Sequence, residues 1–217
     1  MRLSLIGPGK IKLHYEKLLK IKKEVLNQEI TKIANAISES IDEIDILPDQ
    51  GISLEIAKIF KKQINKKVIG VLPMQDKEFK TIHLEQEKNL KINNKPLFNE
   101  FIDSGTWYKH DMTKALFGNA VLYLGKSPGT EIERNSAEYL IYLSKGFKKD
   151  LNTSLKNINP NLKANKDFTI LIYTPFLKDK KLTSEDEFYL NEYNINYIYI
   201  KDSNHLKKEL VRLKKLY

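Results

Sequence analysis

Short β-branched apolar runs alternate with amphipathic segments along this chain, and that alternation is what most restricts its fold. Leu3 to Ile6, Ile44 to Leu47, Val68 to Leu72, Leu97 to Ile102, Val121 to Leu124, Phe168 to Tyr173 and Tyr197 to Ile200 read as strands. Between them lie stretches with helical rhythm. Val25 to Ser38 is the clearest, with Leu26, Ile30, Ile33, Ala34 and Ile37 on one face. Ile52 to Ile64, Trp107 to Phe117, Glu131 to Leu143, Glu185 to Tyr193 and Leu206 to Lys215 follow the same logic. Two segments lack a clear period: 73–96 reads as a mobile or partly helical excursion, and 148–167 as a polar connection.

Parallel neighbours need helical crossovers, and those crossovers are right-handed. The pattern therefore predicts an α/β, Rossmann-like domain: an open, mostly parallel sheet with helices on both faces. With 217 residues and 41% apolar content, a single domain over residues 1–217 is expected. Ligands in such folds sit beyond the carboxyl ends of the strands. That rule places Gly7-Pro-Gly-Lys10, Asp49-Gln-Gly51, Pro73-Met-Gln75, Ser104-Gly-Thr106 and Ser127-Pro-Gly-Thr130 on one rim. Gly7, Gly9, Lys10, Asp49, Gly51, Gly105, Thr106, Lys109, Ser127, Gly129 and Thr130 are the candidate ligand-binding residues. The last turn is the most informative. An apolar strand ends in small residues that open a helix near Thr130, where unpaired backbone N–H groups favour an anion such as phosphate. Glu131 and Glu133 follow in the first turn and put a carboxylate beside that anion. The plain structural alternative is that Thr130 caps the helix and the glutamates complement its dipole.

The composition excludes several chemistries. The sequence has no cysteine, which rules out disulfides, thiolate metal sites and cysteine nucleophiles. His14, His83, His110 and His205 show no metal-ligand spacing, so neither metal nor cofactor is expected. No apolar run is long enough to cross a bilayer, and the N-terminus turns into a strand and a glycine turn, which leads to an expected cytoplasmic protein without membrane association. The formal charge of +9 comes almost wholly from lysine, with Arg2, Arg134 and Arg212 the only arginines. That balance reads as compositional bias spread over helix faces, and nucleic-acid binding is a minor alternative.

The stretch from Leu3 to about Tyr142 resembles the LONELY GUY family of cytokinin-activating phosphoribohydrolases and their "lysine decarboxylase-like" relatives, within a wider Rossmann-like group that includes the DNA-processing protein A. The resemblance is carried by Gly7-Pro-Gly9, Asp49-Gln-Gly51, Val68-Ile-Gly-Val-Leu-Pro73 and Gly129-Thr130-Glu131-Ile-Glu133. The family's Pro-Gly-Gly-x-Gly-Thr-x-x-Glu is matched at Gly129, Thr130 and Glu133, while Lys126-Ser127 replaces its double glycine. The arginine and lysine that the family's enzymes carry on the preceding helix fall near His110 and Asp111, with Lys109 and Lys114 as other basic candidates.

Two readings follow. In the first, the rim binds a nucleotide or nucleotide-derived ligand without altering it, as a sensor or adaptor domain. In the second, the resemblance implies a phosphoribohydrolase that cleaves the N-glycosidic bond of a nucleoside 5′-monophosphate. Glu133 would then stabilise the oxocarbenium-like state or position water, and His110 would hold phosphate or protonate the leaving base. The binding reading is favoured because the family's arginine is missing. Trp107 and Tyr108 are candidates for stacking on a base, and pairing through helices makes a homodimer the expected assembly.

Overall fold

The computed structural model describes residues 1–148, 150–165 and 167–217. Its centre is a seven-stranded sheet built from β1 (Arg2–Ile6), β2 (Glu43–Ile46), β3 (Lys67–Leu72), β6 (Glu100–Asp103), β7 (Ala120–Tyr123), β8 (Thr169–Tyr173) and β9 (Asn196–Ile200). The spatial order is β6-β3-β2-β1-β7-β8-β9, and every pairing is parallel. Two minor strands, β4 (Lys91–Ile92) and β5 (Lys95–Pro96), form a separate antiparallel hairpin. The inner strands of the sheet are short and buried on both faces, whereas the edge strands β6 and β9 are partly exposed.

Side-chain alternation divides the core into two layers. Leu3 and Leu5 of β1, Ile44 and Ile46 of β2 and Leu122 of β7 face helices α1 (Lys23–Ser40), α2 (Ile52–Phe60) and α8 (Ser203–Lys214). Ile6, Ile69, Val71, Val121 and Ile170 face the opposite layer, to which α5 (Pro128–Gly146), α6 (Leu151–Ile158) and α7 (Ser184–Glu192) contribute. In α1, the fully buried Ile33, Ala34 and Ile37 mark the apolar face that anchors the helix. Burying one such isoleucine contributes roughly 1.5–3 kcal/mol.

Some elements depart from the sequence reading. A π-helical segment, Lys12–Leu18, precedes α1 and buries His14 and Tyr15; the Tyr15 hydroxyl donates to the Leu124 carbonyl at 2.7 Å. The 148–167 connection contains α6, held by Leu151 and Leu155 and capped by Asp150. The 73–96 excursion is partly helical, with a 3₁₀ turn at Ile82–Leu84 and α3 (Glu85–Lys88), and it also holds the β4–β5 hairpin. No helix among the described residues is long and apolar enough to cross a membrane.

Chain order creates a switch point. From β1 the chain builds outward through β2, β3 and β6, then returns to β7 on the other side of β1 and continues through β8 and β9. A crevice opens where neighbouring crossovers diverge, at the carboxyl ends of β1 and β7.

Candidate functional site

A cleft of about 210 Å³ lies at that switch point, between the turn after β1, the turn before α2 and the first turn of α5. Two glycines shape its floor. A Cβ at Gly7 would lie 2.4 Å from Ile52 Cγ2, so only glycine lets this turn approach α2 so closely. Gly51 has φ +145°, and a Cβ there would meet Gly9 Cα at 2.7 Å and the Pro8 carbonyl oxygen at 2.9 Å. The two turns are thus clasped back to back, and Ile52 N–H donates to Pro8 C=O at 3.4 Å.

Eight of the expected site residues line this cleft: Gly7, Gly9, Asp49, Gly51, Ser127, Gly129, Thr130 and Glu133. Lys10 does not. It lies beyond the Gly9–Gly51 ridge in a larger neighbouring groove, with Lys12, Lys17, Lys58 and the buried Glu87. Gly105, Thr106 and Lys109 also fall outside the cleft lining, for a reason that the excursion supplies. Gln75 N–H donates to the Gly105 carbonyl at 2.9 Å, and Trp107 N–H donates to Asp76 at 3.0 Å. Asp76 also accepts from the N–H groups of Glu78, Phe79 and Lys80. The segment after β3 therefore docks on the start of α4 (Trp107–Thr113) and uses up its polar groups.

The helix opening at residues 127–130 is also more occupied than the sequence suggested. Ser127, not Thr130, is the N-cap, and the two side chains form a reciprocal capping box. Ser127 N–H donates to Thr130 Oγ1 at 2.8 Å, and Thr130 N–H to Ser127 Oγ at 3.4 Å. Pro128 has no N–H, so Gly129 supplies the free amide of this turn. The Thr130 bond is long for a hydrogen bond and is the one an oxyanion displaces most easily. Glu131, two positions before Glu133, points to the opposite side. It receives the Tyr123 hydroxyl at 2.5 Å and pairs with Lys126 at 3.0 Å and Arg134 at 3.5 Å.

Glu133 is the carboxylate that faces the cleft. One oxygen of Glu133, one oxygen of Asp111 and a ring nitrogen of His110 lie within 4.8 Å of one another. Burial pushes the Glu133 carboxyl up to about 8; the Lys114 ammonium opposes that rise, and Asp111 and Asp45 add to it. His110 is fully buried, so burial first and the Lys114 charge second bring its ring down to about 3. Its Nδ1 lies 2.8 Å from Ser104 Oγ, and its Nε2 is buried with no hydrogen-bond partner. His110 is therefore a neutral ring behind the cleft wall, not a surface phosphate clamp. Burial likewise raises the Asp111 carboxyl.

Beneath this group, Lys114 Nζ lies 2.6 Å from Asp45 Oδ1, with side chains 1% and 0% exposed. Ser4 Oγ contacts both Asp45 oxygens at 2.9 and 2.8 Å and accepts Gly118 N–H at 2.8 Å. Trp107 reaches the cleft wall but already stacks on His83 at 5.7 Å, whereas Tyr108 points to Glu78. Sequence reasoning named Asp111 only as the place of an absent lysine and missed the Ser104–His110 contact. The His-Asp pair at 110–111 was the available signal, but a cluster assembled across α4 and α5 leaves no mark in histidine spacing.

No protein-family model matches the chain, and no curated protein matches it in sequence. Among solved structures, the Moco carrier protein from Chlamydomonas reinhardtii superposes with a TM-score of 0.55 at 15% identity, covering 100% of this chain and 98% of that one. The molybdenum cofactor binding protein from the phototrophic bacterium Rippkaea orientalis gives a TM-score of 0.52 at 12% identity, with 98% and 96% covered. A structure called TM1055 gives 0.52 at 12%, with 100% and 99% covered. The likeness is one of fold, over the whole length of each chain, and agrees with the Rossmann-like architecture read from the sequence.

Proposed function

We propose that the chain binds a small phosphorylated heterocyclic ligand in the cleft at the β1–β7 switch point, as a carrier or sensor domain. Nucleotides belong to that ligand class, as does the molybdenum cofactor that two structural neighbours are named for. The observation that carries the reading is the cleft itself, floored by Gly7 and Gly51 and walled by the start of α5. In this reading the ligand's phosphate takes the Gly129 N–H and displaces the long Thr130–Ser127 cap, and the heterocycle lies toward Trp107.

The state of the two catalytic candidates supports binding over hydrolysis. A carboxyl at about 8 is mostly protonated at neutral pH and contributes little negative charge to an oxocarbenium-like state. A fully buried, neutral His110 supplies neither the missing guanidinium nor a solvent-connected acid. One observation keeps phosphoribohydrolase as the second reading: Gly129, Thr130 and Glu133 line the same cleft in the order that the family resemblance implies. DNA association rests on the +9 charge and on the DNA-processing branch of the wider group that the sequence resembles. A homodimer is part of the proposal, since the exposed Ile132, Tyr139 and Tyr142 run along α5 on a face that pairing would cover; sedimentation equilibrium tests it.

The experiment is a thermal-shift screen of nucleoside mono-, di- and triphosphates, followed by chromatography of each stabilising monophosphate for free base. Stabilisation without base release supports the carrier or sensor. Base release that disappears in Glu133→Gln replaces it with the hydrolase. If no compound shifts the melt, and a generic DNA duplex shifts it at low salt only, the cleft reading is wrong.

A further inference from the structure

We propose that His110, Asp111 and Glu133 form a binding site for one divalent transition-metal ion, of the zinc and manganese class, in the cleft wall. The inference rests on the donor set alone and stands whether or not a nucleotide binds.

Three observations converge on it. First, a nitrogen and two carboxylate oxygens from two different helices lie within 4.8 Å of one another. A cation held about 2.0–2.2 Å from each donor requires donor separations of roughly 3–4 Å, which a small turn of either carboxylate supplies. Second, neither the Asp111 nor the Glu133 carboxylate accepts a hydrogen bond within 3.5 Å from any described residue, although both are half-buried in the cleft wall. Lys114, the nearest ammonium, is committed to Asp45 at 2.6 Å. Two facing carboxylates without a donor need a proton or a cation between them.

Third, His110 Nε2 is a buried polar atom with no partner, in a side chain that is 0% exposed. Such orphans are rare enough to need a cause. Ser104 Oγ lies 2.8 Å from Nδ1, and in the tautomer whose Nδ1–H donates to that oxygen the Nε2 lone pair is free for a cation. A proton alone would satisfy the carboxylates and leave Nε2 unexplained; a metal ion satisfies all three groups. One imidazole with two carboxylates also selects against magnesium and calcium, which prefer all-oxygen shells. Two carboxylates neutralise the ion, and with three protein ligands at least one coordination position opens to the cleft, where water or a ligand oxygen can enter.

The test is calorimetric titration of the chelator-treated protein with Zn²⁺, alongside Co²⁺ as a visible-absorbing probe. The expected result is one ion per chain, with affinity falling at least about tenfold in both Asp111→Asn and Glu133→Gln. His205→Ala serves as a control, because His205 and Glu209 form a surface pair at 3.7 Å that could hold zinc adventitiously. Zinc X-ray absorption on the unmodified protein reads the ligands without any variant; one imidazole among oxygen donors is expected. The proposal is overturned by absence of binding, by affinity unchanged in either carboxylate variant, by loss of the ion in His205→Ala, or by a spectrum with two imidazoles.

Discussion

Lys114→Met is expected to destabilise the protein more than its position on a short 3₁₀ turn would suggest. The ammonium and the Asp45 carboxylate are 1% and 0% exposed and 2.6 Å apart, with Ser4 as a further hydrogen-bond donor to the carboxylate. Removing one partner strands the other charge out of water, at a cost of about 3–5 kcal/mol. Unfolding entropy of about 2.1 cal/mol/K per residue over 217 residues converts this to a fall in melting temperature of roughly 7–11 °C. Asp45→Leu should fall by a similar amount, since it leaves the ammonium without a partner. Asp45→Leu combined with Lys114→Met should recover most of the loss, because an apolar pair of similar volume replaces a buried ion pair at little cost. The Ser4–Gly118 hydrogen bond survives in that double variant, so β1 stays tied to the loop before β7. Circular dichroism melts of the four proteins form the cycle. A Lys114→Met melt within about 2 °C of the parent, or a double variant as unstable as the sum of the singles, would refute the reasoning.

Gly51→Ala is expected to cost roughly 1–3 kcal/mol, because φ +145° and backbone contacts at 2.7 and 2.9 Å leave no room for a methyl group; a chemical-denaturation midpoint unchanged from the parent would count against the clasped turns. Ser127→Ala removes half of the capping box and should cost about 1 kcal/mol in the same assay. In chelator-treated protein, Glu133 and His110 give opposite pH slopes. Glu133 rises from 4.5 to about 8, so the folded state keeps a proton that the unfolded chain sheds, and stability is lost as pH climbs through that window. His110 falls from 6.5 to about 3, so stability is lost as pH drops below 6.5. The two slopes cancel between 4.5 and 6.5, and the alkaline limb alone should flatten in Glu133→Gln; a melting temperature that keeps climbing from pH 6.5 to 8 contradicts this.

The parts of the fold legible in the sequence are those whose burial is complete. β1, β3, β7 and β8 are covered on both faces, so each is mostly apolar, with Ser4 in β1 a buried polar exception that serves Asp45. The helix α1 is legible because its buried side chains recur at 3.6-residue spacing. In α6 only Leu151 and Leu155 are buried, too few to impose a period on a polar segment. The β4–β5 hairpin carried a readable signal: Asn93 and Asn94 both adopt positive φ, 50° and 61°, as a two-residue hairpin turn requires. The π-helical segment had none, since His14 and Tyr15 are adjacent and show no helical rhythm. At the site, Gly129, Thr130 and Glu133 were legible because their spacing fixes which side of α5 they share. The occupation of the amides was not, because Ser127 and Thr130 are equally good caps on paper and only the path of the chain decides between them.

Charge at two neighbouring positions determines what this cleft can hold. The family resemblance implies an arginine near 110 and a lysine near 111, a formal charge of plus two. Here a neutral imidazole and a carboxylate stand there, which brings that pair to minus one. One unit charge 4–5 Å away contributes roughly 3–4 kcal/mol at an effective dielectric of 20, so a change of three units reverses the preference for an anion at that wall. A phosphate is thereby left with the Gly129 amide as its donor, and the Asp111–Glu133 wall is left to attract a proton or a metal cation. The residues at 110 and 111 that weigh against the hydrolytic reading are also the donors on which the metal proposal rests, so both proposals turn on the charge at those two positions.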